Sequence, residues 1–168
     1  MSHHVSNQLR VNLPAQQVWQ VLEDYSSVEK FAVTIKSSPV ITEIKTGVGA
    51  KRRCTFNNGD SLVEEIITYQ EGHGFEMALS EFSMPLKSMK AGMYVKEVDT
   101  NTCEIIMTTD FETKAGPLGW LMGVLLMKPI MKSVFRKIMT GLAVHAATGE
   151  IIGEKLPETP STNELILN

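Results

Sequence analysis

The spacing of apolar residues changes twice along this chain of 168 residues, and the two changes limit the possible folds more than any single motif. Between Pro14 and residue 35 the apolar side chains follow helical spacing. From residue 40 to residue 113 they alternate with polar ones, which is typical of half-buried strands. After Pro117 the helical spacing returns. The pattern predicts an α+β domain in which an antiparallel sheet packs on a long C-terminal helix.

Turn residues and prolines divide these regions into elements. Six strands are predicted in the alternating region, at residues 40–45, 50–57, 61–69, 75–84, 86–98 and 102–113. A first strand over 5–13 and two short helices, one after Pro14 and one over 27–34, precede them. A straight helix over 117–148 would be about 50 Å long at about 1.5 Å per residue. Because that is too long for a domain of this size, a break or kink is expected at Pro129.

A predicted hairpin places an ion pair on the inner face of the sheet. The Asn-Gly pair at 58–59 is the strongest short hairpin signal. As a two-residue turn it puts Arg52 opposite Glu65 on the inner face and Arg53 opposite Glu64 on the outer face. Burying both charges is costly unless they pair well or lie beside water. The inner pair is therefore either a structural ion pair at the edge of the sheet or a polar anchor at a cavity.

The second hairpin is predicted from opposite charges. A three-residue loop at 99–101 places Met93 opposite Met107 and, on the other face, Lys96 opposite Glu104. A shift by one residue would place the apolar sets on opposite faces. The inner face of this hairpin is then lined by Met89, Ala91, Met93, Val95, Ile105, Met107, Thr109 and Phe111.

Methionine is unusually frequent in the second half of the chain. Nine of the ten methionines lie at or after Met77. Because methionine is flexible and polarisable, these side chains either surround a deformable cavity or form an ordinary core. The candidate ligand-binding residues are those expected to point inward from the sheet or the long helix. They are Arg52, Cys54, Glu65, Met77, Met89, Met93, Met107, Phe111, Met127, Met131 and Phe135.

Composition and charge exclude several classes of protein. Sixteen basic and nineteen acidic residues give a formal net charge of −3, which argues against a broad nucleic-acid-binding face. Cys54 and Cys103 have no disulfide or metal-type spacing, so reduced thiols in a cytoplasm-like compartment are expected. The first residues lack a signal-peptide pattern. The longest apolar run, 118–127, is ten residues long, and a bilayer needs roughly 20. We expect a cytoplasmic protein with no integral membrane segment, cofactor or metal.

No residue stands out as catalytic. His145 continues the apolar stripe of the long helix, but a lone histidine near a helix end is more often a cap or a surface group. Asp24 is better placed to cap the following helix than to act on a substrate. Burial could raise the pKa of Glu65, yet Arg52 opposite would oppose that shift. The sequence therefore favours binding over catalysis.

Three motifs, in this order, resemble one known superfamily. Residues 11–25 contain a strand end, a Pro-Ala-x-x-Val-Trp helix and an aspartate; residues 46–53 contain Gly-x-Gly-x-x-Arg; Gly-Pro-Leu-Gly-Trp at 116–120 opens a helix that ends at 146–150. Over residues 5–150 the chain resembles the START/Bet v 1-like (SRPBCC) superfamily, and within it the bacterial polyketide cyclase/dehydrase and lipid-transport branch. The resemblance implies a helix-grip fold, in which a curved antiparallel sheet wraps around the C-terminal helix.

The resemblance also implies a range of functions. It predicts one domain, assigned to 1–150, and a cavity that binds a small, largely hydrophobic molecule such as a lipid, isoprenoid or polyketide. Residues 151–168 lie outside the resemblance, and Pro157, Pro160 and the polar run at 161–163 predict an extended or disordered tail there. One alternative is a protein-interaction module, using an apolar patch from the first helix pair and residues 118–126. Another is a cyclase or dehydratase acting on a polyketide-like substrate. A ligand-binding protein needs a pocket of roughly 300–1,000 Å³. The sequence makes no prediction of oligomeric state.

Overall fold

The computed structural model describes residues 2–158 and 160–167. Eight strands and five α-helices follow one another along the chain. In chain order they are β1 (Ser2–Val11), α1 (Ala15–Glu23), α2 (Val28–Phe31), β2 (Ile35–Ser37), β3 (Lys51–Phe56), β4 (Ser61–Gln70), β5 (Gly74–Ser80), β6 (Leu86–Asp99), β7 (Thr102–Thr113), α3 (Gly116–Met122), α4 (Lys128–Thr148), α5 (Pro160–Leu165) and β8 (Ile166–Leu167).

The strands form one curved antiparallel sheet that packs against α4, which confirms the predicted fold class. Their order across the sheet is β2-β3-β4-β5-β6-β7-β1-β8. Strands that are consecutive in sequence from β2 to β7 are neighbours, while β1 adds beside β7. The two edge strands are short, with three residues in β2 and two in β8.

The first two helices begin within one residue of the predicted positions, but α2 ends at Phe31, three residues before the predicted end. Pro14 lies immediately before α1, where its missing N–H costs no hydrogen bond. Val18, Trp19 and Leu22 are the buried residues of α1. Asp24 caps the short 3₁₀ turn that follows, because its carboxylate accepts the Ser26 N–H at 3.2 Å and the Ser26 hydroxyl at 2.6 Å. Since α1 and α2 bury most of their apolar residues, the helix pair does not contribute to the expected apolar patch, and its other part, residues 118–126, is the one that is exposed.

The register of β6 and β7 is the predicted one. Met93 lies opposite Met107, and Lys96 lies opposite Glu104 on the solvent side. The predicted three-residue loop is wrong at its first residue, because the register shifts so that Asp99 pairs with Thr102. The bulge adds one residue to β6 and leaves the inner face of the hairpin as expected.

The register of β3 and β4 differs from the prediction by one residue. Phe56 N–H donates to Asp60 O, and Gly59, with φ +93°, closes a three-residue loop. An Asn-Gly sequence fits this three-residue loop, a type I turn followed by a left-handed residue, as well as the predicted two-residue turn. The shift pairs Arg52 with Glu64 instead of Glu65.

The predicted strand at 40–45 is wrong. In its place the sheet edge is β2, and Val40 makes only an isolated bridge to Arg52. The chain beyond Val40 turns on itself, since the Thr42 hydroxyl donates to Ile44 O and Lys45 Nζ donates to Thr42 O. These local bonds satisfy polar groups that a strand would pair with a neighbour.

The long helix runs from Gly116 to Thr148 without a break. The irregularity expected at Pro129 appears one turn earlier, as a π-helical segment at Gly123–Met127. Pro129 has no N–H to donate, and Lys128 N–H instead bonds to Gly123 O. By length and composition alone this helix could cross a membrane. Of the 18-residue stretch on which this statement rests, 17% is buried in the protein.

The chain after α4 returns along the domain. Ile152 is buried, and its N–H donates to Lys30 O at 2.8 Å. Asn12 N–H donates to Leu165 O at 2.8 Å, and β8 pairs with Arg10 and Val11 at the end of β1. Residues 159 and 168 of the predicted tail lie outside the described residues, and the division at residue 150 stays a prediction.

Candidate functional site

A cavity of about 170 Å³ lies between the inner face of the sheet and the first half of α4. Its walls are almost entirely apolar, and six of its side chains are methionines. The residues that line it are Val28, Thr34, Ile35, Arg52, Cys54, Phe56, Leu62, Glu64, Met77, Leu79, Met84, Met89, Ala91, Met93, Met107, Ile130, Met131, Val134, Phe135 and Ile138.

The cavity is smaller than the roughly 300–1,000 Å³ expected for a pocket that holds a drug-sized molecule. It compares with an engineered protein cavity of about 150 Å³ that binds benzene. Ile130 lines the cavity and is itself 53% exposed, so the cavity reaches the surface beside the start of α4. The interior is therefore neither filled nor large, and a longer ligand requires side chains to move.

One ion pair forms the polar part of the wall. Arg52 is 3% exposed, and its Nε and Nη2 both lie 2.6 Å from Glu64 Oε2. Arg52 Nη1 donates to the backbone oxygen of Tyr25 at 2.7 Å, and the guanidinium lies 4.1 Å from the centre of the Tyr25 ring. Burial opposes the charge, but the Glu64 carboxylate raises the pKa of Arg52 above its ordinary value. The guanidinium is therefore charged and already engaged by protein groups.

Tyr25 and Cys54 complete this polar cluster as neutral groups. The Tyr25 hydroxyl donates to Glu64 O at 3.1 Å, and burial raises the pKa of Tyr25 well above its usual range. The Cys54 thiol lies 3.5 Å from Glu64 Oε2, and burial together with that carboxylate raises the pKa of Cys54. Because the thiolate is the reactive form of cysteine, Cys54 is a poor nucleophile at neutral pH.

The structure brings most of the predicted site residues to the cavity. Eight of the eleven line it, and these are Arg52, Cys54, Met77, Met89, Met93, Met107, Met131 and Phe135. The other three lie elsewhere. Glu65 is on the outer face of the sheet, 3.1 Å from Lys51 Nζ, because of the one-residue shift in register. Phe111 is buried against the His3 ring, with ring centres 5.0 Å apart, and Met127 packs beside the core outside the cavity.

The sequence prediction missed Glu64 and several apolar wall residues. Glu64 was hidden by the assumed turn, since one residue moves a side chain to the opposite face of a strand. Val134 and Ile138 lie three and four residues from Met131 and Val134 respectively, so helical spacing could have found both. Ile35 begins the edge strand that replaces the predicted strand at 40–45, and Thr34 lies in the turn directly before it.

The other candidate groups for chemistry lie outside the cavity. His145 Nδ1 lies 2.6 Å from Glu150 O, so the ring donates to a carbonyl two residues beyond the end of α4. No three His, Cys, Asp or Glu side chains come together as a metal site in the part of the chain that the structure describes. The cavity offers apolar surface, one paired carboxylate and no activated nucleophile.

Comparison with known proteins assigns the family. The sequence profile of the polyketide cyclase/dehydrase and lipid transport family matches residues 2–147, so the chain belongs to this family. Its fold is of the Bet v 1-like type. No curated protein matches the sequence.

Solved structures agree with this fold at low sequence identity. Protein XoxI from Bacillus cereus superposes with a TM-score of 0.71 at 16% identity, covering 86% of this chain and 96% of that one. Ara h 8.0201 gives 0.69 at 14% identity, covering 88% and 99%. Norcoclaurine synthase from Thalictrum flavum, in complex with dopamine and hydroxybenzaldehyde, gives 0.61 at 15% identity, covering 83% and 86%.

Proposed function

We propose that this protein binds and carries a small, largely hydrophobic molecule, of the lipid, isoprenoid or polyketide kind, in the cavity beneath α4. The observation that carries the proposal is an apolar cavity with six methionines in its wall. Empty apolar volume costs stability, because the lining atoms lose contacts that a filled core would make. A carrier gains from such a cavity, since methionine side chains can repack around guests of different shape.

The size of the cavity limits what it holds at rest. At about 170 Å³ it accommodates roughly one aromatic ring. An isoprenoid or fatty acyl chain is longer, so its entry requires the methionine side chains to rotate away from one another. We expect affinity to rise with ligand length only up to the point at which the methionines can no longer make room.

Glu64, rather than Arg52, is the polar group open to a ligand. The Arg52 side chain is 4% exposed and the Glu64 side chain 14% exposed. Because a carboxylate only accepts hydrogen bonds, a ligand with a hydroxyl or amine donor fits this end of the cavity. Arg52 holds Glu64 in place and offsets its charge. Matched apolar ligands with and without a hydroxyl should differ in binding free energy by about 1.5–3 kcal/mol.

Mass spectrometry and substitution of Met107 test the proposal. Native mass spectrometry of gently purified protein is expected to show a co-purifying apolar molecule. Met107→Trp should fill the cavity and abolish uptake of fluorescent fatty-acid or isoprenoid analogues, while Met107→Leu, which keeps an apolar side chain of similar size, should retain it. Circular dichroism checks that both variants fold. A wild-type protein that binds none of a broad lipid and polyketide panel would contradict the carrier function.

The environment of the thiols is consistent with a reducing compartment. Cys54 and Cys103 are both free and buried. Disulfides are rare in the cytosol, where thiols stay reduced. We include a cytoplasmic location in the proposal, to be checked by localising the tagged full-length protein.

A further inference from the structure

Six large apolar side chains are exposed on one helical segment, and together we call them the apolar helix face. They are Leu118, Trp120, Leu121, Leu125, Leu126 and Ile130, which are between 39% and 75% exposed. Single exposed leucines are normal on a protein surface, but six such residues within thirteen positions are not. We infer that the apolar helix face docks this protein on the surface of an anionic lipid bilayer.

The segment is held to the domain by its smallest residues. Gly119 and Gly123 are the buried residues of α3 and the π-helical segment. A Cβ on Gly123 would collide with the ring of His3, so the helix lies directly on β1 at this point. The Trp120 ring also stacks on His3, with ring centres 5.8 Å apart, while the leucines of the same segment stay exposed and are left for another environment.

The positive charge of the segment indicates which kind of surface it binds. The sequence between Glu112 and Glu150 contains no Asp or Glu. It contains five basic residues, which are Lys114, Lys128, Lys132, Arg136 and Lys137. The whole chain has 16 basic and 19 acidic residues, so the rest of it has 11 basic and 19 acidic. This stretch thus carries five positive charges and no negative one, while the rest of the chain is strongly negative.

These positive charges are available to a partner. Within the described residues, none of the five takes part in a salt bridge. A second copy of the chain would bring the same positive charges together and be repelled. Anionic lipid headgroups attract basic residues, and a helix with leucine and tryptophan on one face and lysine around it is typical of an interfacial membrane helix.

The composition of the segment favours lipid over protein as the apolar environment. By length and composition the helix Gly116–Thr148 could even cross a bilayer. However, its buried residues from Phe135 to Val144 belong to the protein core, so they are not free to enter lipid. The remaining part can lie in the plane of the interface, about 5–10 Å into the boundary between headgroups and acyl chains. Ile130 belongs both to this face and to the rim of the cavity.

Vesicle flotation with the full-length protein tests the inference. Vesicles of phosphatidylcholine alone are compared with vesicles in which part of it is replaced by phosphatidylglycerol. We expect binding to the anionic vesicles and at least about tenfold weaker binding to the neutral ones. High salt should release the protein, because exposed charges are screened. No binding to either vesicle, or equal binding to both, would overturn the inference.

Substitutions identify the surface that binds. The double variant Leu125→Glu/Leu126→Glu should lower vesicle binding at least about tenfold, since it removes apolar area from lipid. Ile151→Glu is the matched control, because Ile151 is 69% exposed and Leu125 is 68% exposed. Lys132→Glu should weaken binding, whereas Lys87→Glu, on β6, should not. If the control variants lose as much binding as the test variants, the assigned surface is wrong.

Two readouts separate docking from other behaviour. Trp120 emission should shift to the blue on anionic vesicles, and Trp120→Phe should remove the shift, because Trp19 is already buried. Light scattering gives the mass of the wild type and of the double variant in solution. A dimer that is lost in the double variant, together with no vesicle binding, would assign the face to self-association instead. Protein that resists both salt and carbonate washing would indicate insertion, and that result also overturns surface docking.

Discussion

The two parts of the long helix are built from similar residues and lie in opposite environments. From Gly116 to Val134 only Gly119 and Gly123 are buried, whereas from Phe135 to Val144 all but Arg136 and Lys137 are buried. The second part packs between the sheet and the first helices, so its apolar side chains belong to the core. The leucines of the first part contribute no comparable burial. Apolar periodicity therefore predicts a helix, but it does not predict what covers that helix.

The largest expected difference between the two parts is in stability. Leu142 is fully buried, and Leu142→Ala should lower the free energy of unfolding by about 2–5 kcal/mol, because it removes contacts and leaves a void. Leu125→Ala should change it by no more than about 0.5 kcal/mol, because the side chain is already in solvent. Urea denaturation followed by circular dichroism measures both. Equal losses would show that the apolar helix face is covered within the folded protein.

Glycines in the two parts should respond differently to an added methyl group. A Cβ on Gly141 would collide with the backbone oxygen of Phe31, which cannot rotate away. Gly141→Ala should therefore cost about 1–3 kcal/mol from overpacking, reduced by up to about 1 kcal/mol of helix propensity. The nearest atoms to a Cβ on Gly123 belong to the His3 ring, a side chain rather than backbone, so a smaller loss of global stability than in Gly141→Ala is expected. Its effect should appear instead in the emission of Trp120, which stacks on His3 with ring centres 5.8 Å apart.

Those two glycine variants also check each other. The thermal unfolding temperature should fall more in Gly141→Ala than in Gly123→Ala. If Gly123→Ala unfolds at a much lower temperature, the first part of the helix is as tightly coupled to the core as the second part.

The smallest expected effect is a dependence on pH at the contact between the first part and β1. His3 is 2% exposed and its Nε2 has no hydrogen-bond partner among the described residues. Burial, with Lys128 nearby, lowers the pKa of His3 below 6.5. The unfolded chain therefore binds a proton more readily than the folded one, so the contact is strongest above pH 6.5 and weakens as the pH falls below it. Trp120 emission between pH 8 and pH 5 follows this change.

His3→Phe is the matched variant for that titration. It keeps a ring between Phe111 and Trp120 and removes the titrating group. The emission change below pH 6.5 should disappear in His3→Phe. A change that persists in the variant would assign the pH dependence to another group.

The β6–β7 hairpin could be predicted from the sequence because two independent signals agreed. Opposite charges on one face and apolar residues on the other allow only one register, and a shift by one residue would violate both. The β3–β4 hairpin had a stronger turn signal and a weaker pairing signal. Arg52 and Arg53 are adjacent, as are Glu64 and Glu65, so either register pairs opposite charges.

That ambiguity decided how much of the site could be predicted. The methionines that line the cavity could be predicted from the alternation of side chains along the strands and from helical spacing. Neither depends on the turn between β3 and β4. The identity of the inner carboxylate depended on a single residue in the loop. Phe111 was given the correct face of β7 but lies beside His3, beyond the end of the cavity, and alternation along a strand cannot say how far a cavity extends.

The edges of the sheet limit how this protein can associate with other chains. An exposed edge strand offers unpaired N–H and C=O groups to which a second chain can add, and this is a common route to aggregation. Here the two edges are β2, with three residues, and β8, with two. Neither is long enough to serve as a template for a further strand of ordinary length. However, β8 pairs only with Arg10 and Val11, so the earlier residues of β1 have no strand partner on that side among the described residues. The short β2 edge thus resists growth by backbone pairing, whereas the side of β1 beyond β8 is the place at which a second chain could add a strand.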